Sequence, residues 1–219
     1  MLLKLFIPFA FGYFLSFLYR VVNVVIAPDL VAEFGLNAAQ IGMVSSVYLL
    51  TFALCQLPLG ILLDRYESRK VSAALLLLAA LGAWIFAGAS SIEGLLLGRG
   101  LIGIGVSACL MAAFTAYANL LPLQKLPLVN GLQLMTGGLG VVAASTPVQW
   151  FLSWGDWRLL FQAMALASLL ASALVLTLVP RYVVVVKQQK LSQQLKTVSY
   201  RLLQMPNLRV LSVQPKPRP

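Results

Sequence analysis

The sequence predicts an all-helical membrane protein with six transmembrane helices. Hydrophobic residues make up 60% of its 219 residues, charged residues make up 10%, and the mean hydropathy is +0.90. A soluble domain carries about a quarter charged residues, so these charges are too few to cover a water-facing surface. Long apolar runs such as 73–80, AALLLLAA, lack the alternation that is typical of β-barrel strands.

Six apolar stretches have about the 20 residues that a helix needs to cross a hydrocarbon core roughly 30 Å thick. They lie at 5–27, 40–63, 71–90, 94–118, 128–153 and 158–179. The first stretch begins like a signal peptide, but its length and the internal Arg20 favour a retained helix. We therefore predict a six-helix transmembrane bundle over 1–180 and a basic cytoplasmic tail or linker over 181–219.

The basic residues are concentrated on one predicted side of the membrane. Of the 16 Lys and Arg residues, 13 fall there, namely Lys4, Arg65, Arg69, Lys70, Lys125 and the eight that follow Pro180. The positive-inside rule makes this side cytoplasmic. We predict a multi-pass protein of a bacterial inner membrane, with both termini in the cytoplasm. The same distribution accounts for the net charge of +10 without a nucleic-acid partner.

Few residues in the chain could carry enzyme chemistry. It has no His, and no acidic residue lies well inside an apolar stretch. Cys55 and Cys109 both fall inside predicted spans, which disfavours a disulfide framework. The sequence contains no Gly-x-x-x-x-Gly-Lys phosphate loop, which disfavours an ATP-driven transporter. We predict no enzymatic activity, no cofactor and no metal site.

Arg20 and Arg99 lie inside predicted spans, roughly 8–11 Å from the same end of their helices at 1.5 Å per residue. An Arg at the centre of a span costs about 2.5–3.5 kcal/mol on insertion, so each is a candidate functional residue. Other polar residues of the spans are weaker candidates, more often interhelical hydrogen-bond partners than ligands: Asn23, Tyr48, Gln56, Tyr117 and Gln133.

The segment between the second and third spans reads GILLDRYESRK over 60–70 and resembles the cytoplasmic signature loop of the major facilitator superfamily. That loop has a Gly, three residues, Asp-Arg, a turn and a basic pair, and it latches one conformational state in the family. The resemblance implies the same role here for Gly60, Asp64, Arg65, Arg69 and Lys70.

Two details of this loop lead to expectations of their own. Glu67 departs from the family, which usually has Gly in the turn. Asp64 lies at the C-terminal end of a predicted helix, where the helix dipole disfavours an acid. We therefore expect Asp64 to have a cationic or helix N-terminal partner nearby.

Two further segments are similar to the same family. The fourth span opens Gly98-Arg99-Gly100 and continues with more glycines, which also predicts close helix packing, and 155–161 reads GDWRLLF. The fifth span lacks the Gly-Pro-x-x-Gly-Gly pattern of drug/proton antiporters. The family has twelve helices in two halves around the solute, so the resemblance over 5–180 implies an N-terminal six-helix half. We expect either a truncated product without its C-terminal half or a half that pairs with a second copy.

Arg20, followed eight positions later by Pro28, resembles the first helix of the organophosphate:phosphate antiporters and related organic anion symporters. There the Arg binds the anion, and a guanidinium fork suits phosphate or carboxylate. In the family the first and fourth helices line the central cavity, so Arg20 and Arg99 are expected to do so here.

The function that this resemblance implies is secondary transport. The chain would move a small solute, an organic anion, across the lipid bilayer by alternating access between the two halves. The alternative is a non-transporting membrane anchor or regulatory module, in which the basic tail would carry the function.

Overall fold

The computed structural model describes residues 2–182 of the chain. The chain divides into Met1–Val184 and Val185–Pro219, and the described residues belong to the first unit. They form eight helices: α1 (Leu2–Phe34), α2 (Ala38–Arg65), α3 (Ser68–Ala87), α4 (Ile92–Val106), α5 (Cys109–Leu120), α6 (Leu126–Ala143), α7 (Thr146–Leu152) and α8 (Trp157–Leu178). A short 3-10 turn, Leu123–Lys125, precedes α6. The part of the predicted tail that follows Tyr182 lies outside the described residues.

Six segments of this part of the chain are long and apolar enough to cross a membrane, so the predicted fold class is confirmed. They are Leu2–Phe34, Ala38–Arg65, Ser68–Ala87, Ile92–Leu120, Leu123–Ala143 and Trp157–Leu178.

Three of the predicted boundaries change. α1 continues seven residues beyond the predicted end at 27 and includes Pro28, so the loop shrinks to 35–37. The fourth span is interrupted at Ser107 and Ala108, between α4 and α5. The predicted fifth span over 128–153 is divided at Ala144 and Ser145, between α6 and α7.

Short-range signals end α1 and start the helices α2 and α8. Gly35 has a φ of 65°, the left-handed conformation that commonly terminates a helix. Asn37 starts α2 with a capping box, because its side chain accepts from the Gln40 N–H at 2.9 Å and its own N–H donates to Gln40 Oε1 at 2.9 Å. Asp156 starts α8 by accepting from the N–H of Leu159 at 2.7 Å.

Glycines bring the backbones of α3 and α4 into direct contact. A Cβ added at Gly82 would lie 2.7 Å from the backbone nitrogen of Ile102, and one added at Gly98 would lie 2.8 Å from the carbonyl oxygen of Gly82. Small residues permit this close approach in lipid, where packing rather than water drives helix association.

The other helices pack in a few pairs. α3 packs against α8 as well as α4, α1 packs against α6 and α8, and α2 packs against α4.

Charged and aromatic side chains tie three helices together at one end of the bundle. Glu33, near the end of α1, accepts from Trp157 Nε1 at 2.8 Å and forms an ion pair with Arg158. Arg158 Nη1 donates to the carbonyl oxygen of Ala87 at 2.7 Å. The ends of α1 and α3 are therefore joined to the start of α8.

The helices α2 and α6 are the most exposed of the long helices. Four of the 28 residues of α2 and four of the 18 residues of α6 are buried, against 12 of the 20 residues of α3. The exposed side chains include many large apolar ones, such as Leu54, Leu57, Leu128 and Met135. Such surfaces suit contact with lipid or with further transmembrane helices.

We expect Gly105→Ala to destabilise the bundle. The added Cβ would lie 2.6 Å from Cα and Cβ of Ala79, so α4 would have to move away from α3, at a cost of about 1–3 kcal/mol. Gly138→Ala is the matched control, because nothing lies within 4 Å of a Cβ there. The measurement is thermal unfolding of the two purified variants in detergent. Equal melting temperatures would contradict the close packing of α3 on α4.

Candidate functional site

A cavity of about 270 Å³ lies between α1, α2 and the junction of α4 with α5. From α1 it is lined by Tyr13, Ser16, Phe17 and Arg20, which are spaced i, i+3, i+4 and i+7 and therefore share one helix face. The other helices contribute Phe52, Gln56, Val106, Ser107, Leu110 and Met111. Arg20 is the one charged residue among the described residues of this lining.

The guanidinium of Arg20 lies beside two aromatic rings and has no carboxylate partner within residues 2–182. Its Cζ is 4.9 Å from the ring centroid of Phe17 and 4.9 Å from that of Phe52. Its Nε is buried without a hydrogen-bond partner, and no Asp or Glu oxygen of residues 2–182 lies within 4.0 Å of its nitrogens. Cation–π contacts are worth about 0.5–2 kcal/mol each, so they lower the cost of burying the charge without neutralising it.

Arg99 is enclosed by protein and is not part of the cavity lining. It is 1% exposed, and its Nη1 donates to the carbonyl oxygen of Tyr19 at 2.8 Å. Its Cζ lies 5.2 Å from the ring centroid of Phe86 and 5.6 Å from that of Phe161, while Nε and Nη2 have no hydrogen-bond partner in the part of the chain that the structure describes. Because Tyr19 precedes Arg20 in α1, the two guanidinium-bearing residues lie at comparable levels of the bundle, as their estimated depths predict.

Asn23 and Tyr48 also lie outside the lining and join α1 to α2. Asn23 Nδ2 donates to Ser45 Oγ at 2.6 Å, and Tyr48 Oη donates to the carbonyl oxygen of Ser16 at 3.1 Å. Asn23 is 3% exposed and Tyr48 is 2% exposed. In this conformation both side chains make interhelical hydrogen bonds.

Gln133, the remaining predicted ligand, is fully buried. Its Oε1 accepts from Tyr117 Oη at 2.8 Å, and its Nε2 donates to the carbonyl oxygen of Phe9 at 3.1 Å. These bonds join α6 to α5 and α1. Of the five predicted solute ligands, the structure brings only Arg20 to this cavity, and a solute-binding role for the other four stays a prediction.

Sequence reasoning does not identify Tyr13, Ser16 or Ser107 as cavity residues. Helical spacing contains the signal for the first two, because they precede Arg20 by seven and four positions and so lie on its face of α1. Ser107 has no comparable signal, since its position depends on the interruption between α4 and α5.

In the loop that resembles a conformational latch, Arg69 connects the start of α3 to the end of α8. Arg69 Nη1 donates to the carbonyl oxygens of Leu176 at 3.2 Å and Val179 at 3.3 Å. A cation is favoured there by the dipole of α8. Glu67 Oε2 accepts from Arg69 Nε at 2.9 Å, and Glu67 Oε1 lies 3.1 Å from Lys70 Nζ.

Within residues 2–182, Asp64 lacks a cationic partner, which is one of the two kinds of partner that its position predicts. Its side chain is exposed, and no Lys or Arg nitrogen in the described part of the chain lies within 4.0 Å of its carboxylate. Arg69 and Lys70 pair with Glu67, which stands where the family usually has Gly. Arg65 is exposed as well, and a Cβ added at Gly60 would meet nothing within 4 Å.

Six helices that are long and apolar enough to cross a membrane, with an arginine-bearing cavity between α1, α2, α4 and α5, define a multi-pass membrane protein. Residues 9–215 match the family described as the Major Facilitator Superfamily. The match covers most of the chain, and the chain therefore belongs to the Major Facilitator Superfamily. The family and the names of its relatives point to a transporter and not to an enzyme.

Curated relatives with similar sequences carry different solutes in their names. The nitrate/nitrite transporter NrtP of Picosynechococcus is 36% identical over 94 residues, which are 43% of this chain and 18% of that protein. The probable sulfoacetate transporter SauU of Cupriavidus necator is 26% identical over 157 residues, 72% of this chain and 36% of that protein. The multidrug resistance protein MdtL of Shewanella oneidensis is 29% identical over 153 residues, 68% of this chain and 38% of that protein. The chain spans less than half the length of each.

Solved structures share the fold at low sequence identity. A bacterial homolog of the human lysosomal transporter Spinster, inward-facing and unoccupied, has a TM-score of 0.71 at 22% identity, covering 82% of this chain and 44% of that one. The xylose transporter XylE of E. coli, inward open, has a TM-score of 0.66 at 19% identity, covering 96% of this chain and 54% of that one. At these identities the likeness establishes the fold alone, half of a major facilitator fold, as the sequence predicts.

Glu67 is expected to make the stability of the α3–α8 connection depend on pH. Partial burial would raise the pKa of Glu67, but hydrogen bonds from Lys70 and Arg69 outweigh it and hold the pKa below the ordinary value of 4.5. A carboxyl whose pKa is lowered by folding stabilises the protein above its unfolded pKa, and this contribution disappears as the pH falls through the folded pKa. We therefore expect the melting temperature of the native chain to fall more steeply below pH 4.5 than that of Glu67→Gln. Parallel profiles would show that these ion pairs contribute nothing.

Proposed function

We propose that the chain is the N-terminal half of a secondary transporter for a small organic anion, which binds at Arg20. The observation that carries this proposal is a guanidinium in a cavity wall of a membrane helix with no carboxylate partner among residues 2–182. An Arg at the centre of a span costs about 2.5–3.5 kcal/mol on insertion, so an unpaired one is expected to serve a function. A bound anion would supply the missing charge and accept the hydrogen bonds of the guanidinium fork.

The names of two relatives support an anionic solute. NrtP is named for nitrate and nitrite, and SauU for sulfoacetate, all of which are anions. MdtL is named for multidrug resistance, so the case for an anion depends on Arg20 rather than on the relatives. The similarity to organophosphate:phosphate antiporters at Arg20 and Pro28 points the same way.

The exposed helices α2 and α6 support the presence of a second set of helices. In this proposal a C-terminal half, or a second copy of the chain, covers them and closes the Arg20 cavity from the opposite side. The two halves then rock against each other around the solute, which is alternating access. The basic end of the bundle faces the cytoplasm of a bacterial cell, as the positive-inside rule predicts.

The loop between α2 and α3 acts as the latch of one state in this scheme. Gly60, Asp64 and Arg65 lie at an end of α2 where they are available to the second half. Arg69 and Lys70 are held by Glu67 and keep the start of α3 in place.

Arg20→Gln is expected to weaken anion binding by about 10- to 150-fold. Hydrogen bonds to a charged group are worth about 1.5–3 kcal/mol, which corresponds to that factor. The purified chain in lipid nanodiscs is titrated with radiolabelled acetate, benzoate and phosphate, and saturable binding is measured by scintillation proximity. Lys125→Gln is the control, because it removes one positive charge from an exposed turn outside the cavity.

One further variant and one further assay sharpen this test. Arg20→Lys keeps the charge but loses the fork, so we expect intermediate affinity. A folded Arg20→Gln protein that binds anions as tightly as the native chain would remove Arg20 from the site. Exchange of the bound anion into liposomes that contain only this chain would favour a second copy as the other half, whereas binding without exchange would favour a separate C-terminal half.

A further inference from the structure

The part of the cavity that the described residues form around Arg20 presents a single positive charge. None of the other nine lining residues is basic or acidic. Arg99, the nearest candidate for a second charge, is enclosed by aromatic rings and is absent from the lining. One guanidinium balances one negative charge, and a second negative charge on the ligand would remain uncompensated in a setting that disfavours unpaired ions.

The polar groups beside Arg20 are few, and two of them already have protein partners. Ser107 Oγ donates to the carbonyl oxygen of Ile104 in α4 at 2.7 Å, and Gln56 Nε2 donates to the carbonyl oxygen of Ser107 at 3.4 Å. The hydroxyls of Tyr13 and Ser16 donate to no acceptor in the described part of the protein. The guanidinium fork and these two hydroxyls can donate hydrogen bonds to the two oxygens of a carboxylate or the three oxygens of a sulfonate.

The remainder of the cavity wall is apolar. Side chains from three helices form it: Phe17, Phe52, Val106, Leu110 and Met111. The volume of about 270 Å³ falls just below the range of about 300–1,000 Å³ that is typical of drug-sized ligands. Each methylene of the ligand that is buried against this wall would raise the affinity of the ligand for the cavity about fourfold.

We infer that the ligand is a small amphiphilic monoanion, a carboxylate or sulfonate with a short apolar body, and not inorganic phosphate or a phosphate ester. This class rests on the proposed role of Arg20 as the anion site and adds the charge and the polarity of the ligand. The acidic head lies at Arg20 with the hydroxyls of Tyr13 and Ser16, and the apolar body lies against Leu110 and Met111.

A series of carboxylates that differ only in chain length, with two phosphates for comparison, tests this class. Acetate, butyrate, hexanoate, phosphate and glycerol phosphate compete with radiolabelled benzoate for the chain in nanodiscs, with binding to empty nanodiscs subtracted. We expect hexanoate to compete about fifteenfold better than acetate if two of its four additional methylenes are buried. Both phosphates should compete more weakly than acetate.

The outcomes separate this inference from the proposed function. If a phosphate competes as well as hexanoate and Arg20→Gln still abolishes binding, the ligand class is wrong and the anion site at Arg20 stands. If Arg20→Gln binds the whole series like the native chain, both are overturned.

A pair of methionine variants tests the apolar wall directly. Met111→Ser should reduce the preference for hexanoate over acetate to within about threefold, because it replaces apolar cavity surface. Met135→Ser is the matched control, since Met135 is exposed on α6 and lies outside the lining. An unchanged preference in Met111→Ser would contradict the placement of the apolar body.

Discussion

A bilayer offers no hydrogen-bond partner to a charged side chain, so each Arg inside a span must be compensated by the protein or by a ligand. Arg99 is fully enclosed, with one hydrogen bond to α1 and aromatic rings around it. Arg20 has two rings and an adjoining cavity. The same residue type thus has two different environments at comparable levels of the bundle. Of these two residues, Arg20 adjoins a cavity and Arg99 does not, which is why the proposed anion site is at Arg20.

The number of spans follows from the sequence because hydrocarbon thickness sets the length of each apolar run. The boundaries depend on subtler signals. Pro28 reads as the start of a loop, yet α1 continues through it, as membrane helices can when the surroundings satisfy the freed carbonyl. The signals that do stop α1 and start α2, Gly35 and the pair Asn37 and Gln40, are present in the sequence a few residues further on. The interruption at Ser107 has no such local signal.

The candidate site could be predicted only where a residue is unusual for its surroundings. Arg20 is visible as a charge in an apolar run. Tyr48 and Gln133 are polar residues in spans, and their sequence pattern is the same whether they face a cavity or a neighbouring helix; only the observed partners distinguish the two. Asp64 and Glu67 present a similar ambiguity. Both acids lie near the basic pair, and the fold, which the local sequence does not specify, gives that pair to Glu67.

The polar contacts also indicate which helices belong to one rigid unit. α1 and α3 are joined to the start of α8 by Glu33 and Arg158, and α3 is joined to the end of α8 by Arg69. The glycine contact with α4 adds a fourth helix to this unit. In α2 and α6, by contrast, most residues remain exposed. Alternating access requires each half to rock as a body against the other. In the proposed transport cycle α1, α3, α4 and α8 move as one body, and α2 and α6, which hydrogen bonds also join to α1, present their exposed faces to the second half.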